Sequence, residues 1–451
     1  MKKVLLLLIV LMVVVALCSC APSYSENLEY TLLDNNTYEV SGIGTCTDTD
    51  IVIPLTHNGL PVTRIGDSAF EYCTELTSIT IPISVTSIGK GAFLGCTSLT
   101  SITIPNSVKS IDSGAFLSCT SLTSVTIPDS VTSLGAAFKY CTSLTNVVIG
   151  NSVTSIDEYM FVDCRSLTTI TIPDSVTSIG TRAFEGCTSL KDVYYTGDVT
   201  GWLGISFSGP LSTPLLDGAN LYFNGDLVTN VIIPDPITSI GKLAFAGCAS
   251  LTSVTIPDSV TSIGDWAFDY CTALTSITIP DSVTSIGKYA FEECTSLTSV
   301  EIGDSVTVIG EYAFEKCSSL TSVKIGDSLQ GVEMYAFANC TSLTSIIFPN
   351  SLRGIGEGAF YKCTSLSSIE FGNSVIEIRA GAFSVCTSLA SITIPYTVTT
   401  IDYQAFAKCT SLRSITFEGT VEQWNAISKY KWNGNVPATE VVCSDGTVKL
   451  K

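Results

Sequence analysis

Fourteen cysteines recur along this chain at a nearly constant step, and that step limits the possible folds more than any other feature of the sequence. They are Cys73, Cys96, Cys119, Cys141, Cys164, Cys187, Cys248, Cys271, Cys294, Cys317, Cys340, Cys363, Cys386 and Cys409, each closing a Phe-x-x-Cys sequence. The step is 23 residues, except for one of 22 and one jump of 61. The step of 22 has a visible cause, because Leu134-Gly135-Ala136-Ala137-Phe138 has lost a residue between Gly and Ala. Such a period marks a repeat array: one unit cannot bury its own apolar face, so neighbours must stack.

A single unit reads as one turn of a coil. Ser101-Ile102-Thr103-Ile104 alternates polar and apolar, is rich in β-branched residues and ends at Pro105, which predicts a short strand with one buried face. Val108 and Ile111 form a second inward pair. The following Ile-Gly-x-x-Ala-Phe-x-x-Cys places apolar groups at 0, +4, +5 and +8, a spacing that predicts a short helix. The expected fold is an α/β repeat solenoid, a right-handed coil with short parallel strands and short helices in each turn.

The pattern Leu-x-x-Ile-x-Ile-Pro-x-x-Val-x-x-Ile-Gly-x-x-Ala-Phe-x-x-Cys resembles the BspA-like leucine-rich repeat family, from about Leu28 to Lys451. The resemblance implies a secreted or surface-attached protein. It also implies an adhesin-like function, holding proteins of a host or of neighbouring cells. The alternative is a non-catalytic structural, spacer or accessory component of the envelope.

Breaks in the rhythm divide the chain. Lys2 and Lys3 precede an apolar run from Val4 to Leu17 that ends in Leu17-Cys18-Ser19-Cys20. Residues 1–19 are therefore expected to be a signal peptide, too short to span a membrane comfortably. The last four residues resemble a bacterial lipobox, which implies a lipid on Cys20; an ordinary secretory signal cut near Ala21 is the alternative, giving a secreted product. Residues 20–26 read as a tether, 27–66 as an N-terminal cap, 67–190 as a first array and 231–416 as a second. Between the arrays, 191–230 contains Tyr195-x-Gly197-x-Val199-x-x-Trp202-x-x-Ile205, and 417–451 repeats it as Phe417-x-Gly419-x-Val421-x-x-Trp424-x-x-Ile427. The terminal copy is expected to cap the last coil, and the inner one to be a cap-like insert.

Composition narrows the function. Asp and Glu number 41 against 22 Lys and Arg, a formal charge of −19, which argues against a nucleic-acid partner. His57 is the only histidine, so neither a His-centred metal site nor a Ser–His pair is expected. No enzyme, cofactor or metal site is implied, and the chain is expected to act as a monomer that meets the membrane only through its lipid. The ladder cysteines read as small buried thiols rather than as a disulfide framework, because parallel side chains rarely reach the disulfide dihedral. The Asp or Asn after each strand, including Asp258, Asp281, Asp304 and Asp327, reads as a turn acceptor, with calcium as the rival. Outward strand positions are mostly Ser and Thr. The departures Tyr194, Glu301, Lys324, Ile347 and Glu370 are the candidate partner contacts, and Phe207, in a loop-like apolar stretch of the insert, is another. Trp266 and Trp432 are candidate exposed anchors, whereas Trp202 and Trp424 are expected to pack.

Overall fold

The computed structural model describes residues 23–209 and 211–450. The expected signal peptide, the lipidation site Cys20 and the next two residues of the tether lie outside them. Two compact units result: one comprises the residues up to Ile170 with Arg182–Ser189, the other Thr171–Thr181 with Leu190–Lys451.

Both units are stacks of short coils. In the second, the coil running from Cys271 to Cys294 shows the construction. Ser276–Ile279 is a strand whose Ile277 and Ile279 are buried while Ser276 and Thr278 face out. It pairs in register and in parallel with Ser299–Ile302 of the next coil. Pro280 ends the strand because it has no N–H for the ladder, and the chain then turns, with Val283 N–H donating to Pro280 O at 3.1 Å. Ser285–Ile286 follows as a second strand. Its counterparts form a nine-stranded sheet from Ser239–Ile240 to Ser428–Lys429. In the first unit the same second strands, Ser87–Ile88, Ser110–Ile111 and Ser133–Leu134, continue a sheet begun by Glu29–Leu32, Tyr38–Gly42 and Leu60–Ile65.

The third side of each coil departs from expectation: it is not helical. Among the described residues the helices are Val199–Leu203 and Val421–Ala426, both in the cap motif. Within Gly287–Cys294, Tyr289 and Glu293 have φ of 59° and 53°, in the left-handed region that ends a right-handed helix. The N–H groups of Tyr289, Phe291 and Glu293 donate to Glu311, Ala313 and Glu315 of the next coil at 2.9, 2.7 and 2.8 Å. Those amides would have closed the helix. They tie neighbouring coils instead, leaving two successive tight turns. The apolar spacing is kept, since Ile286, Ala290, Phe291 and Cys294 are all buried. Paired four-residue turns and a helix bury the same positions, so periodicity alone does not separate them.

The interior is built of columns. Phe70, Phe93, Phe116, Phe138, Phe161 and Phe184 stack at 5.3–5.9 Å between centroids in the first unit. Eight more, from Phe245 to Phe406, stack at 5.1–5.6 Å in the second. Each such burial contributes about 1.5–3 kcal/mol relative to exposure. The cysteine column lies beside them. Cys317 Sγ–H donates to Phe291 O at 3.2 Å, and the same bond, to the Phe carbonyl of the preceding coil, recurs along both units. Burial pushes these thiols up, Cys119 and Cys363 to about 12.

The inner and terminal cap copies share one order of elements. Asp192–Tyr195, the helix Val199–Leu203, Ser206–Phe207 and the hairpin Asn220–Phe223 with Asp226–Leu227 match Ser414–Phe417, Val421–Ala426, Ser428–Lys429 and Glu440–Cys443 with Gly446–Lys449. Asp198 and Thr420 cap the two helices. Trp202 and Trp424 are buried, as expected. The inner copy is followed by a coil, and its Trp202 Nε1–H donates to Ala244 O there at 2.7 Å.

The strand face as candidate binding site

Period-two alternation sends one side chain in and the next out, so the outward residues of successive strands line up along the stack. Most are Ser and Thr. The Thr just before each strand also stitches coils together: Thr298 Oγ1 donates to Thr275 O and Thr321 Oγ1 to Thr298 O, each at 3.0 Å. The hydroxyl ribbon is therefore partly a scaffold, and its interruptions carry the chemical variety.

Several interruptions lie in the second unit. Tyr194 stacks on Tyr222 at 4.6 Å, in the parallel pair Asp192–Tyr195 with Asn220–Phe223. Tyr222 O–H donates to Asp192 Oδ1 at 3.0 Å, a bond that raises its phenol pKa. Ile232, on the strand Asn230–Ile232, is 73% exposed. Further along, Glu301 and Lys324 stand in register and form an ion pair. That pairing raises the Lys324 ammonium pKa. Ile347, 60% exposed, stands in register with Glu370.

Between Ser322–Lys324 and Ser345–Ile347 the first-strand ladder breaks. The inward column holds Phe348 where most coils have Ile. Its ring packs against Phe371 at 5.9 Å and Phe360 at 5.7 Å. Next to it Val323 and Ile325 are half-buried, although their counterparts Ile277 and Ile279 are fully buried. An open depression of about 350 Å³ results, lined by Val323, Lys324, Ile325, Ile347 and Phe348, with Asp327 at its rim. An apolar floor with a charged rim suits noncovalent capture of a side chain.

Other expected contacts lie elsewhere. Phe207 is 6% exposed and packs on Trp202 at 5.9 Å, because its strand pairs with Ser178–Ile179 and turns the ring inward; it is a core residue. Trp432 is likewise buried, against Trp424 and Phe406. Trp266 is half-buried on the turn side, stacked on Tyr289. Tyr222, which shares the stack with Tyr194, was not among the expected contacts, although its alternation in Asn220-Leu221-Tyr222-Phe223 places it outward.

The Asp and Asn row accepts backbone N–H groups, but from the next coil rather than from its own turn. Asp281 Oδ1 accepts from Asp304 N–H at 2.8 Å, and Asn350 Oδ1 from Asn373 N–H at 3.0 Å. Among the described residues, no group of three or more His, Cys, Asp or Glu is placed to hold a metal ion. His57 stacks on Tyr30 at 3.9 Å in the N-terminal region. Among the described residues no helix is long and apolar enough to cross a membrane.

Comparison with known proteins agrees with this architecture. Residues 62–200, 218–343 and 307–433 match the family described as "BspA type Leucine rich repeat region", in six copies. A leucine-rich repeat protein from Bacteroides ovatus is similar at 29% identity, with 83% of this chain and 95% of that one covered and a TM-score of 0.59. A leucine rich cell surface protein from Faecalibacterium prausnitzii is similar at 31% identity, covering 89% and 96%, with a TM-score of 0.49. No curated protein matches the chain. The stacked 23-residue coils and the family match over most of their length place the chain in the BspA-type leucine-rich repeat family.

Proposed function

We propose that this chain is a non-catalytic surface protein that captures other proteins on the strand face of its second unit, as an adhesin for host or neighbouring-cell proteins. The observation that carries this reading is the interrupted ribbon. Tyr194 with Tyr222, and Glu301, Lys324, Ile347 and Glu370 around the depression, bring apolar and charged groups to an otherwise uniform Ser/Thr surface. Concave faces of repeat stacks are a common place for an extended partner. On this reading the chain is exported, carries a lipid on Cys20 and works as a monomer.

The test is a surface-binding assay of the chain against a panel of extracellular-matrix, serum and bacterial surface proteins. Saturable capture of at least one, weakened by Lys324→Glu and by Ile347→Asp with the fold intact, is the expected result. No saturable capture across the panel would favour the spacer role. Metabolic labelling with a fatty acid, lost in Cys20→Ser, tests the anchor.

A further inference from the structure

The turn side of the second unit carries a second feature, independent of the strand face. Trp266, Tyr289, Tyr312 and Tyr335 occupy one position of four successive coils and stack at 5.1, 4.7 and 5.3 Å. All four are half-buried. Three residues further along lie the carboxyl groups of Asp269, Glu292 and Glu315, and Glu293 adjoins them.

One ammonium answers these four groups. Lys316 Nζ lies 2.6 Å from Glu293 Oε1 and 3.5 Å from Glu292 Oε1. Glu315 accepts an amide N–H from Asn339, at 3.4 Å, and is hydrogen-bonded to the Glu292 carboxyl. Asp269, next to Glu292 and Glu293, is 5% exposed and its Oδ1 has no hydrogen-bond partner. Lys288, next to Tyr289 in the chain, is engaged with Glu311 at 2.8 Å. Burial and mutual repulsion accordingly raise the pKa values of Asp269, Glu292 and Glu315. The cluster is short of positive charge. The ring faces are used up in the stack, so the aromatic row offers edges rather than open platforms. Aromatic rings on the same side already receive ammonium groups: Lys242 Nζ lies 5.1 Å from the Trp266 centroid and Lys362 Nζ 5.2 Å from that of Tyr361.

We propose that this flank docks a basic, extended segment of another protein, with one Lys or Arg side chain inserted among Glu292, Glu293 and Glu315 and its aliphatic stem along the edges of Tyr289 and Tyr312. The carboxylates supply the charge-assisted hydrogen bonds, and the aromatic edges cover the stem.

The experiment titrates the full-length chain, in mild detergent, with a fluorescent peptide of alternating Lys and Gly at near-physiological salt; a Gln and Gly peptide is the control. Three variants separate a local site from the general negative field. Glu292→Gln/Glu293→Gln/Glu315→Gln is expected to weaken binding by roughly tenfold or more. Asp258→Asn/Asp281→Asn/Asp304→Asn removes the same charge elsewhere and is expected to change it less than about twofold. Lys316→Gln, which frees the cluster, is expected to tighten binding. Absence of binding to the unaltered chain, equal losses from the two triple variants, or weaker binding in Lys316→Gln would each overturn the proposal. Glu301→Gln/Lys324→Gln on the strand face is expected to have no effect; a loss there would move the peptide to that face and also overturn it.

Discussion

Replacing Asp269 by Asn should flatten the pH dependence of stability in the second unit. Burial, reinforced by Glu292 and Glu293, lifts its carboxyl from 3.8 to about 8 in the folded chain. Between those values the folded chain holds a proton that the unfolded chain has released. The slope of unfolding free energy with pH is set by the protons bound in the unfolded state minus those bound in the folded state, so here stability falls as pH rises. One proton corresponds to about 1.36 kcal/mol per pH unit. The stabilising contribution is fully present below pH 3.8, declines through the interval and is gone above about pH 8. Over that interval the total is about 6 kcal/mol at most, and half of it would be readily measurable. Asn keeps the shape and does not ionise. The four tryptophans, Trp266 among them, all lie in the second unit and give its fluorescence signal for urea unfolding at a series of pH values from 5 to 8. The expected result is that the unaltered chain loses stability across this range and Asp269→Asn loses about one proton's worth less per unit. Parallel pH profiles for the two would show that Asp269 is ionised or hydrated in the folded chain and would refute the reasoning.

Further substitutions probe the columns and turns. Phe314→Ala opens the centre of a stack in which the ring has neighbours at 5.1 Å on both sides, and should cost about 3–5 kcal/mol by denaturant unfolding. Val385 is a β-branched residue at φ 66°, so Val385→Asn should stabilise by about 1 kcal/mol, read as a higher thermal midpoint. In the folded chain a water-soluble aromatic disulfide reagent should label Cys46 and Cys73, which are partly exposed, far faster than Cys294 or Cys317, which are buried; equal rates would mean that the ladder is wet. Glu301→Gln should leave the denaturant midpoint essentially unchanged, since the Glu301–Lys324 pair is exposed, and its effect should appear in partner capture instead.

The coil and its inward columns were legible in the sequence because each is a matter of spacing. Ile277, Ile279, Ile286, Phe291 and Cys294 are buried where alternation and the 23-residue step put them. The third side was misread for a physical reason. Burial at 0, +4, +5 and +8 is satisfied equally by a helix and by two tight turns. The choice is made by Tyr289 and Glu293 adopting positive φ and by amides bonding to the next coil, neither of which a periodicity reports. A faint signal exists: Gly91, Gly95 and Gly114 stand at these same two positions with positive φ. On the strand face, Glu301, Lys324, Ile347 and Glu370 were found as departures from a consensus. The depression beside them was not, because the partial exposure of Val323 and Ile325 depends on local packing that a repeat consensus does not report. Phe207 was misplaced because its stretch resembles a loop, whereas pairing with Ser178–Ile179 turns it inward. The column Trp266, Tyr289, Tyr312 and Tyr335 was visible at the repeat step, but its stacking follows only from the turn geometry.

Residue-resolved native-state hydrogen exchange over Gly287–Cys294 tests most directly whether the coils are held to one another by their turn segments. Slow exchange at Tyr289, Phe291 and Glu293, lost together when the coil carrying Glu311, Ala313 and Glu315 is destabilised by Phe314→Ala, is the expected result. Protection of these amides that survives that substitution unchanged would mean that each segment closes its own hydrogen bonds, and would contradict it.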